Sequence, residues 1–401
     1  MLVATASFAN DTISVVTYNL LFYDEIPQSR DTNFRKTILY IQPDVLVVQE
    51  IGSQANVDNF LTNVLNYYTP GLYTSAQFYN TSNLNVAMFY KPALFDLLNV
   101  VAIPTYPRDI MKYRLLHLKS GQVFDVFGLH LKAGNSSANM NDRNNEALQL
   151  RAYTNQYPVN FNYIVCGDFN FYGDFEPAYQ TLLLNNGSDI GNFKDHLNLS
   201  GTWNNYEYRF HHSQSTRTRS FGGGATGGCD DRFDFFLFSP AVVNEGGMTY
   251  VQGSSVPIGN DGNHYNDSIN ERPVTAVPDS IADALHYASD HLPVISKYVM
   301  VSSVSISNSG TSFISDFKLT SVYPNPFNYR VNFSLNVSVV DEYYISIYDV
   351  NGREVAQIGK QYLTPGNYKY YFDGNELSSG NYFLRVRNSS EQIIRRIVLV
   401  K

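Results

Sequence analysis

Six short stretches of the chain end an apolar, β-type run on side chains that can do chemistry. "SVVTYN" ends on Asn19, "DVLVVQE" on Glu50, "VFGLH" on His130 and "IVCGDFN" on Asp168 and Asn170. "DDRFDFF" carries Asp231 and Asp234, and "ASDHLPV" carries Asp290 and His291. Strand alternation puts Asp168 and Asn170 on the same side of the chain, facing one spot. In α/β architectures the ends of several strands converge on one cleft, which is what would turn these separate residues into a site. The residue types then specify a reaction. The hard oxygen donors Asn19, Glu50 and Asp290 suit Mg²⁺ or Mn²⁺, with Ca²⁺ as an alternative, whereas zinc would want more His or Cys at ligand spacing. Asp168 and Asn170 would orient an attacking water, and His291 would take its proton. Asp234, with Asp231 as second choice, would hold the His291 tautomer and stabilise imidazolium. His130 would donate to a phosphoryl oxygen as charge builds there. Together these residues form a set for phosphoester hydrolysis.

Each residue also has a plainer reading when taken alone. Asp168 and Asn170 could close a turn by bonding their own backbone, Asn19 could sit in a turn, Glu50 could cap a helix, and His130 could be a core histidine. Arg143 and Arg151 fall on a predicted helix after His130 and read as surface charge. The loop "YRFHHSQSTRTRSFGGG" gathers five basic or imidazole side chains. Of these, Arg217, Arg219 and His212 are the candidates for gripping phosphates beside the scissile bond; the alternative is a solvated loop. The run from Gly222 to Gly227 satisfies G-x-G-x-x-G but leads into a strand pattern, where a dinucleotide site needs a helix.

The elements that must position these groups follow from the pattern. Between Thr12 and Val301, runs such as "ISVVTYNLLF", "VLVVQE", "NVAMFYK" and "YIVCGDFN" alternate with polar or helical stretches, giving one large α/β domain over 11–300. Helices are predicted in "TNFRKTILYIQ", "QANVDNFLTNVLNYY" and "NMNDRNNEALQLRAYTNQY". A Ser-rich, uncharged tract, 301–315, reads as a linker. From 316 to 401, short strands separated by turn signals suggest a small all-β, immunoglobulin-like sandwich, with Asn351–Gly352 as the strongest hairpin signal. That segment holds ten basic and eight acidic residues, a net +2, which leaves −10 on the remainder of a chain of formal charge −8.

A chain of 401 residues, 44% of them hydrophobic, can bury a substantial core. The acidic balance argues against a broad basic face that coats nucleic acid but leaves room for a local basic groove. Two cysteines, Cys166 in a strand and Cys229 in a glycine-rich loop, make no disulfide framework and are expected as free thiols. No stretch has the length and apolarity of a membrane span. Residues 1–10 read as the tail of an export signal, with Ser7 and Ala9 framing Phe8 and the basic n-region missing.

"TYNL", "QE", "GLHLKAG", "GDFN", "DDRFDF" and "SDHLP" occur in the order and approximate spacing of the endonuclease/exonuclease/phosphatase superfamily. That superfamily includes pancreatic deoxyribonuclease, apurinic endonucleases, sphingomyelinases and inositol polyphosphate phosphatases. The resemblance covers about three quarters of the chain. It implies a four-layered α/β/β/α sandwich and Mg²⁺-dependent attack of water on a phosphoester. It also implies the roles given above to Asn19, Glu50, His130, Asp168, Asn170, Asp290 and His291. "LTSVYPNPFN", "ISIYDVNGREVAQI", "LSSGNYFLRV" and "RRIVLVK" resemble the C-terminal sorting domain of type IX secretion substrates. This second resemblance implies export, to the medium or the cell surface, and the secretion machinery as a partner. The expected function is a secreted metal-dependent nuclease acting on DNA or RNA, with no stable protein partner. The alternatives are a lipid or small-molecule phosphoesterase and an inactive surface binding module.

Overall fold

The computed structural model describes residues 11–401 except 27, 83, 188–189, 244–246, 302–316, 350–352 and 389–391. The expected signal remnant, nearly all of the linker, and the Asn351–Gly352 turn therefore lie outside the described residues. The chain divides into two units, one to Ser305 and one from Ile306.

The first unit runs β1 (Asp11–Tyr23), α1 (Asp31–Ile41), β2 (Val45–Ile51), α2 (Gln54–Phe60), β3 (Thr74–Ser75), β4 (Asn85–Tyr90), β5 (Phe95–Ile103), β6 (Ile110–His117) and β7 (Val123–His130). It continues with α3 (Ser137–Thr154), β8 (Tyr163–Asp168), α4 (Pro177–Leu183), β9 (Asp234–Phe238), α5 (Pro240–Val243), β10 (Met248–Tyr250), β11 (Val256–Pro257), α6 (Asp279–Ala288) and β12 (Val294–Met300). Seven strands form one sheet in the order β10-β12-β1-β2-β4-β3, with β11 also on β12; five form a second in the order β5-β6-β7-β8-β9.

Period two explains why both faces of the central strands are apolar. In β1, Ile13 and Val15 face the opposite sheet while Val16, Tyr18 and Leu20 face outward. In β8, Ile164 and Cys166 point inward while Tyr163 and Val165 point outward. Each strand therefore joins two cores, as strands covered on both faces must. The first sheet's outer face is covered by Phe34 and Ile38 of α1, Val57 and Phe60 of α2, and Ala288 of α6. Ala147 and Leu150 of α3, with Ala178 and Leu182 of α4, cover the second. Helix, sheet, sheet, helix is the expected four-layered order. At Gly128 the sheets approach too closely for a side chain, since a Cβ there would stand 2.7 Å from Val47 and 2.8 Å from Val86. Cys166 and Cys229 are buried free thiols.

The second unit contains β13 (Phe317–Tyr323), β14 (Arg330–Val337), β15 (Asp341–Tyr348), β16 (Glu354–Leu363), β17 (Gly366–Asp373), β18 (Gly380–Arg387) and β19 (Gln392–Leu399). They form a three-stranded sheet, β13-β14-β17, and a four-stranded sheet, β16-β15-β18-β19, antiparallel throughout. Phe333 and Leu335 from one sheet share a core with Ile345, Leu384 and Ile397 from the other. Among the described residues, no helix is long and apolar enough to cross a membrane.

Candidate active site

Register builds the site's first row. β7 and β8 run parallel with His130 opposite Asp168, and β8 and β9 run antiparallel with Asp168 opposite Asp234. Three chemistry-bearing residues thus line up across adjacent strands of the five-stranded sheet. Asn19 and Glu50 come to the same place from β1 and β2, which run parallel with Asn19 opposite Gln49. The pairing shifts between Asn19 and Tyr23, and Leu21, Phe22 and Glu50 all take left-handed backbone, at φ 50°, 45° and 62°. Such bulky residues pay for that conformation in strain, of order 1–2 kcal/mol each. Here it bends the ends of β1 and β2 so that polar groups turn toward the cleft.

The Asn19 amide joins the two sheets. Its Nδ2 donates to Glu50 Oε1 at 3.1 Å and to Asp168 Oδ2 at 3.2 Å, and its Oδ1 accepts from Leu21 N at 3.0 Å. Glu50 Oε2 accepts from Phe22 N at 2.8 Å. Asp168 Oδ1 accepts from Asn170 N at 3.0 Å, while the Asn170 side chain donates to the Leu131 carbonyl at 3.2 Å. His130 Nε2 stands 3.5 Å from Asp168 and 3.9 Å from Glu50.

His291 Nδ1 donates to Asp234 Oδ2 at 2.7 Å, and Ser213 Oγ donates to the same oxygen at 2.7 Å. Its Nε2 is 3.8 Å from Asp168 and lies against the Gln214 side-chain amide. Asp231 lies apart from this pair: its Oδ1 accepts from Asn204. Asp290 Oδ2 accepts from Ala225 N at 2.6 Å and from Gln214 Nε2 at 3.4 Å, rather than from Asn19. A Cβ on Gly224 would fall 2.7 Å from that carboxylate, so the glycine loop closes on Asp290 in a way no larger residue allows.

Burial and charge set the protonation states. Burial pushes the Asp168 carboxyl up to about 7, reinforced by Asp234 and Glu50 and opposed by His291. Burial holds the His130 imidazole well below its ordinary range, with Arg108 and His291 acting in the same direction, so His130 is neutral. For His291 burial works downward, but Asp234, Asp290 and Asp168 together hold the imidazolium well above the usual range. Three aspartates therefore act on one imidazolium, with Glu50 beside the neutral His130. Asp290 Oδ1 and Asp234 Oδ1 are buried without a hydrogen-bond partner. Donor atoms of Asp168, Asp234 and His291 lie within 4.8 Å of one another. Excess negative charge, orphaned carboxylate oxygens and an oxygen-rich donor set fit a hard divalent cation.

The basic candidates are placed differently from what their sequence context suggests. His212 is fully buried, with Nε2 on the Trp203 carbonyl at 2.9 Å and Nδ1 on that of Cys229, so it fastens two segments of backbone instead of facing a substrate. Arg217 is only 1% exposed and donates through Nη1 to the Phe221 carbonyl at 2.7 Å; it is not part of a solvated loop. Arg219 is exposed. Arg143 and Arg151, expected as surface charge, are buried. Arg143 forms a two-point pair with Glu176, at 3.0 and 2.7 Å, and donates to the carbonyls of Lys132 and Gly134. Arg151 donates to the carbonyls of Thr181, Leu182 and Leu184. Both helix positions look polar in sequence because their partners lie about thirty residues away in the chain.

Three residues come into view only in the folded chain. Gln214 touches both His291 and Asp290. Ser289 donates to the Asn19 carbonyl at 2.7 Å and accepts from His291 N, tying the end of β1 to the segment that leads into β12. Arg108 donates to the carbonyls of His130 and Leu131. Ser289 directly precedes the Asp290–His291 pair and was within reach of the sequence; Gln214 and Arg108 carry no spacing signal.

Residues 16–291 match the model of the Endonuclease/Exonuclease/phosphatase family, and residues 321–401 match that of the secretion system C-terminal sorting domain. No curated protein matches the chain significantly. Similar solved structures include D. rerio TDP2 complexed with single-strand DNA product, at 14% identity over 72% of this chain and 98% of that one, TM-score 0.48. The human Nocturnin catalytic domain with bound sulfate aligns at 16% identity over 73% and 98%, TM-score 0.47. A family protein from Bacteroides thetaiotaomicron aligns at 15% identity over 73% and 99%, TM-score 0.46. The family is made up of hydrolases of phosphoester bonds, generally dependent on divalent metal. The chain belongs to the endonuclease/exonuclease/phosphatase family and carries a type IX secretion sorting domain at its C-terminal end.

Proposed function

We propose that the chain is an exported, metal-dependent nuclease that hydrolyses phosphodiester bonds of DNA or RNA. The observation that carries this reading is the meeting of the Asn19–Glu50–Asp168 network with the His291–Asp234 pair, with His291 Nε2 only 3.8 Å from Asp168. Asn19, Glu50 and Asp290 would hold Mg²⁺ or Mn²⁺, with Ca²⁺ also suited to their oxygens. The ion would supply charge neutralisation at the phosphate and polarisation of its oxygens. Asp168 and Asn170 orient the attacking water; a cation held by the neighbouring carboxylates would offset the charge that keeps His291 protonated, freeing Nε2 to take the proton while Asp234 holds the opposite ring nitrogen. Neutral His130 keeps a proton to donate to a phosphoryl oxygen as negative charge develops there. Arg219 is the one exposed member of the basic loop's candidate trio and remains free to meet a backbone phosphate. The sorting domain supports release to the medium or display on the cell surface.

The test is hydrolysis by the full chain of plasmid DNA, structured RNA and bis-p-nitrophenyl phosphate, with Mg²⁺ or Mn²⁺ and an EDTA control. Metal-dependent nicking of plasmid or cleavage of RNA is the expected result, lost in His291→Ala with the melting transition retained. Turnover of the small diester without cutting either polymer would replace the reading by a lipid or small-molecule phosphoesterase. No hydrolysis of any of the three would point to a binding module.

A further inference from the structure

Arg30 stands half-buried just ahead of α1, and each of its hydrogen-bond partners among the described residues is a neutral oxygen. Its Nη1 donates to the carbonyls of Leu20 and Ala288, both at 2.9 Å. Nη2 donates to the carbonyl of Leu21 at 2.6 Å and, more weakly, to that of Phe22 at 3.4 Å; Nε donates to Gln28 Oε1 at 3.3 Å. The arginine fork matches carboxylate and phosphate groups. Here it grips backbone instead, and the backbone it grips is the left-handed turn at Leu21 and Phe22.

What that turn carries explains the grip. The peptide between Leu20 and Leu21 has its carbonyl on Arg30 Nη1 and its N–H on Asn19 Oδ1 at 3.0 Å. The next peptide, between Leu21 and Phe22, has its carbonyl on Arg30 Nη2 and its N–H on Glu50 Oε2 at 2.8 Å. A planar trans peptide points its two polar ends in opposite directions, so holding the carbonyl aims the N–H. A cation on the carbonyl also polarises the peptide and strengthens the hydrogen bond at its far end. Two consecutive peptide units therefore connect one guanidinium to two oxygens, each of which keeps a further lone pair. The bond to the Ala288 carbonyl fastens the end of α6 directly ahead of Ser289, Asp290 and His291. Bulky residues stay in left-handed backbone only where their surroundings over-determine it, and at Leu21 and Phe22 these bonds do so.

We infer that Arg30 is a positioning residue for the divalent cation, fixing Asn19 Oδ1 and Glu50 Oε2 through the two peptides whose carbonyls it holds. The inference rests on the metal-dependent reading above, and its test reads metal binding without any cleavage. Calorimetric titration of the full chain with Mn²⁺, at a temperature where every variant is folded, gives the affinity. Arg30→Gln should weaken binding about tenfold or more, the scale of groups that orient metal ligands. Arg30→Lys keeps the charge but loses the fork, so its affinity should fall between those of the parent and Arg30→Gln. Ile38→Val separates positioning from general loosening, because it thins the buried face of α1 and touches neither peptide. It should lower the melting temperature in EDTA and leave the Mn²⁺ affinity at the parent's value; an equal loss of affinity there would overturn the assignment. If Arg30→Gln gives no cooperative melt, Arg30→Lys decides. Affinity unchanged in the folded Arg30 variants overturns the inference while leaving the metal-dependent reading standing. Binding that survives Glu50→Gln at full strength moves the ion off Glu50 and has the same effect. A parent chain that binds no Mn²⁺ overturns the metal-dependent reading itself.

Discussion

Replacing Glu176 by Gln isolates what the buried Arg143 pair does for the fold. Both side chains are fully shielded from solvent, and the guanidinium meets the carboxylate through two nitrogens, at 3.0 and 2.7 Å. Its remaining Nη1 hydrogens go to the carbonyls of Lys132 and Gly134, each at 2.7 Å, in the loop that follows His130. Gln keeps the shape but removes the countercharge, leaving a cation in a dry interior. Breaking a buried pair in this way costs about 3–5 kcal/mol. For a unit of this size each kcal/mol lowers the melting temperature by about 2–4 °C, so the transition of the larger unit should fall by roughly 6–20 °C. The assay is thermal melting of the full chain, completed by Arg143→Met and the double variant Arg143→Met/Glu176→Leu. The double variant should lose less than the sum of the single changes by about 2 kcal/mol or more, because neither charge is stranded. If Glu176→Gln melts within about 1 kcal/mol of the parent and the coupling is near zero, the pair is not a structural clamp and the loop is held by other contacts.

Three further outcomes are expected. Gly167→Ala should cost roughly 3 kcal/mol or more in urea unfolding, since the new Cβ would stand 2.0 Å from the Leu129 carbonyl oxygen at a φ of 147°; near-native stability would show that β7 and β8 can separate cheaply. Burial raises the Glu146 carboxyl to about 8, with its Oε2 accepting from Lys132 N. The unfolded chain therefore releases this proton first, and stability is lost as pH rises between the ordinary carboxylate range and about 8. Glu146→Gln, neutral in both states, should match the parent near pH 4 and exceed it by a few kcal/mol near pH 8; parallel stability curves would refute the assignment. Saturating Mg²⁺ should raise the melting temperature of the parent, by about 2.7 kcal/mol of linkage at a hundred times Kd. That shift should vanish in Asp290→Asn, and a shift that survives would move the ion to other ligands.

How far the sequence carries depends on whether a signal is local. Period-two apolar runs ending in polar residues can be read directly, and they define the strands that bring Asn19, Glu50, His130, Asp168 and Asp234 together. The sequence left the partner of His291 between Asp234 and Asp231; the register that sets Asp234 opposite Asp168, with His291 Nδ1 on its carboxylate, decides between them. Pairings across the chain were not legible. A helix reading "NDRNNEALQLR" looks solvated whether or not Glu176 waits for Arg143 thirty-three residues on. His212 and Arg217 sit in a basic loop that resembles a phosphate grip, and only tertiary packing shows that backbone carbonyls take part of their donor capacity. Gln214 was invisible for the same reason: its neighbours, His291 and Asp290, lie more than seventy residues away.

The left-handed backbone at Leu21, Phe22 and Glu50 has a consequence for laboratory evolution of the chain. Total stability of a folded unit is about 5–15 kcal/mol, and three such residues at 1–2 kcal/mol apiece tie up a noticeable share of it. A screen that rewards heat resistance alone will therefore favour glycine or asparagine at exposed Phe22 and at Glu50, where the relief is immediate, whereas at buried Leu21 the lost packing opposes the exchange. The same exchange would remove the Phe22 ring and the Glu50 carboxylate, so heat-tolerant winners would accumulate idle. Screening for melting temperature and turnover together, with these three codons held fixed, keeps the two properties from being traded against one another.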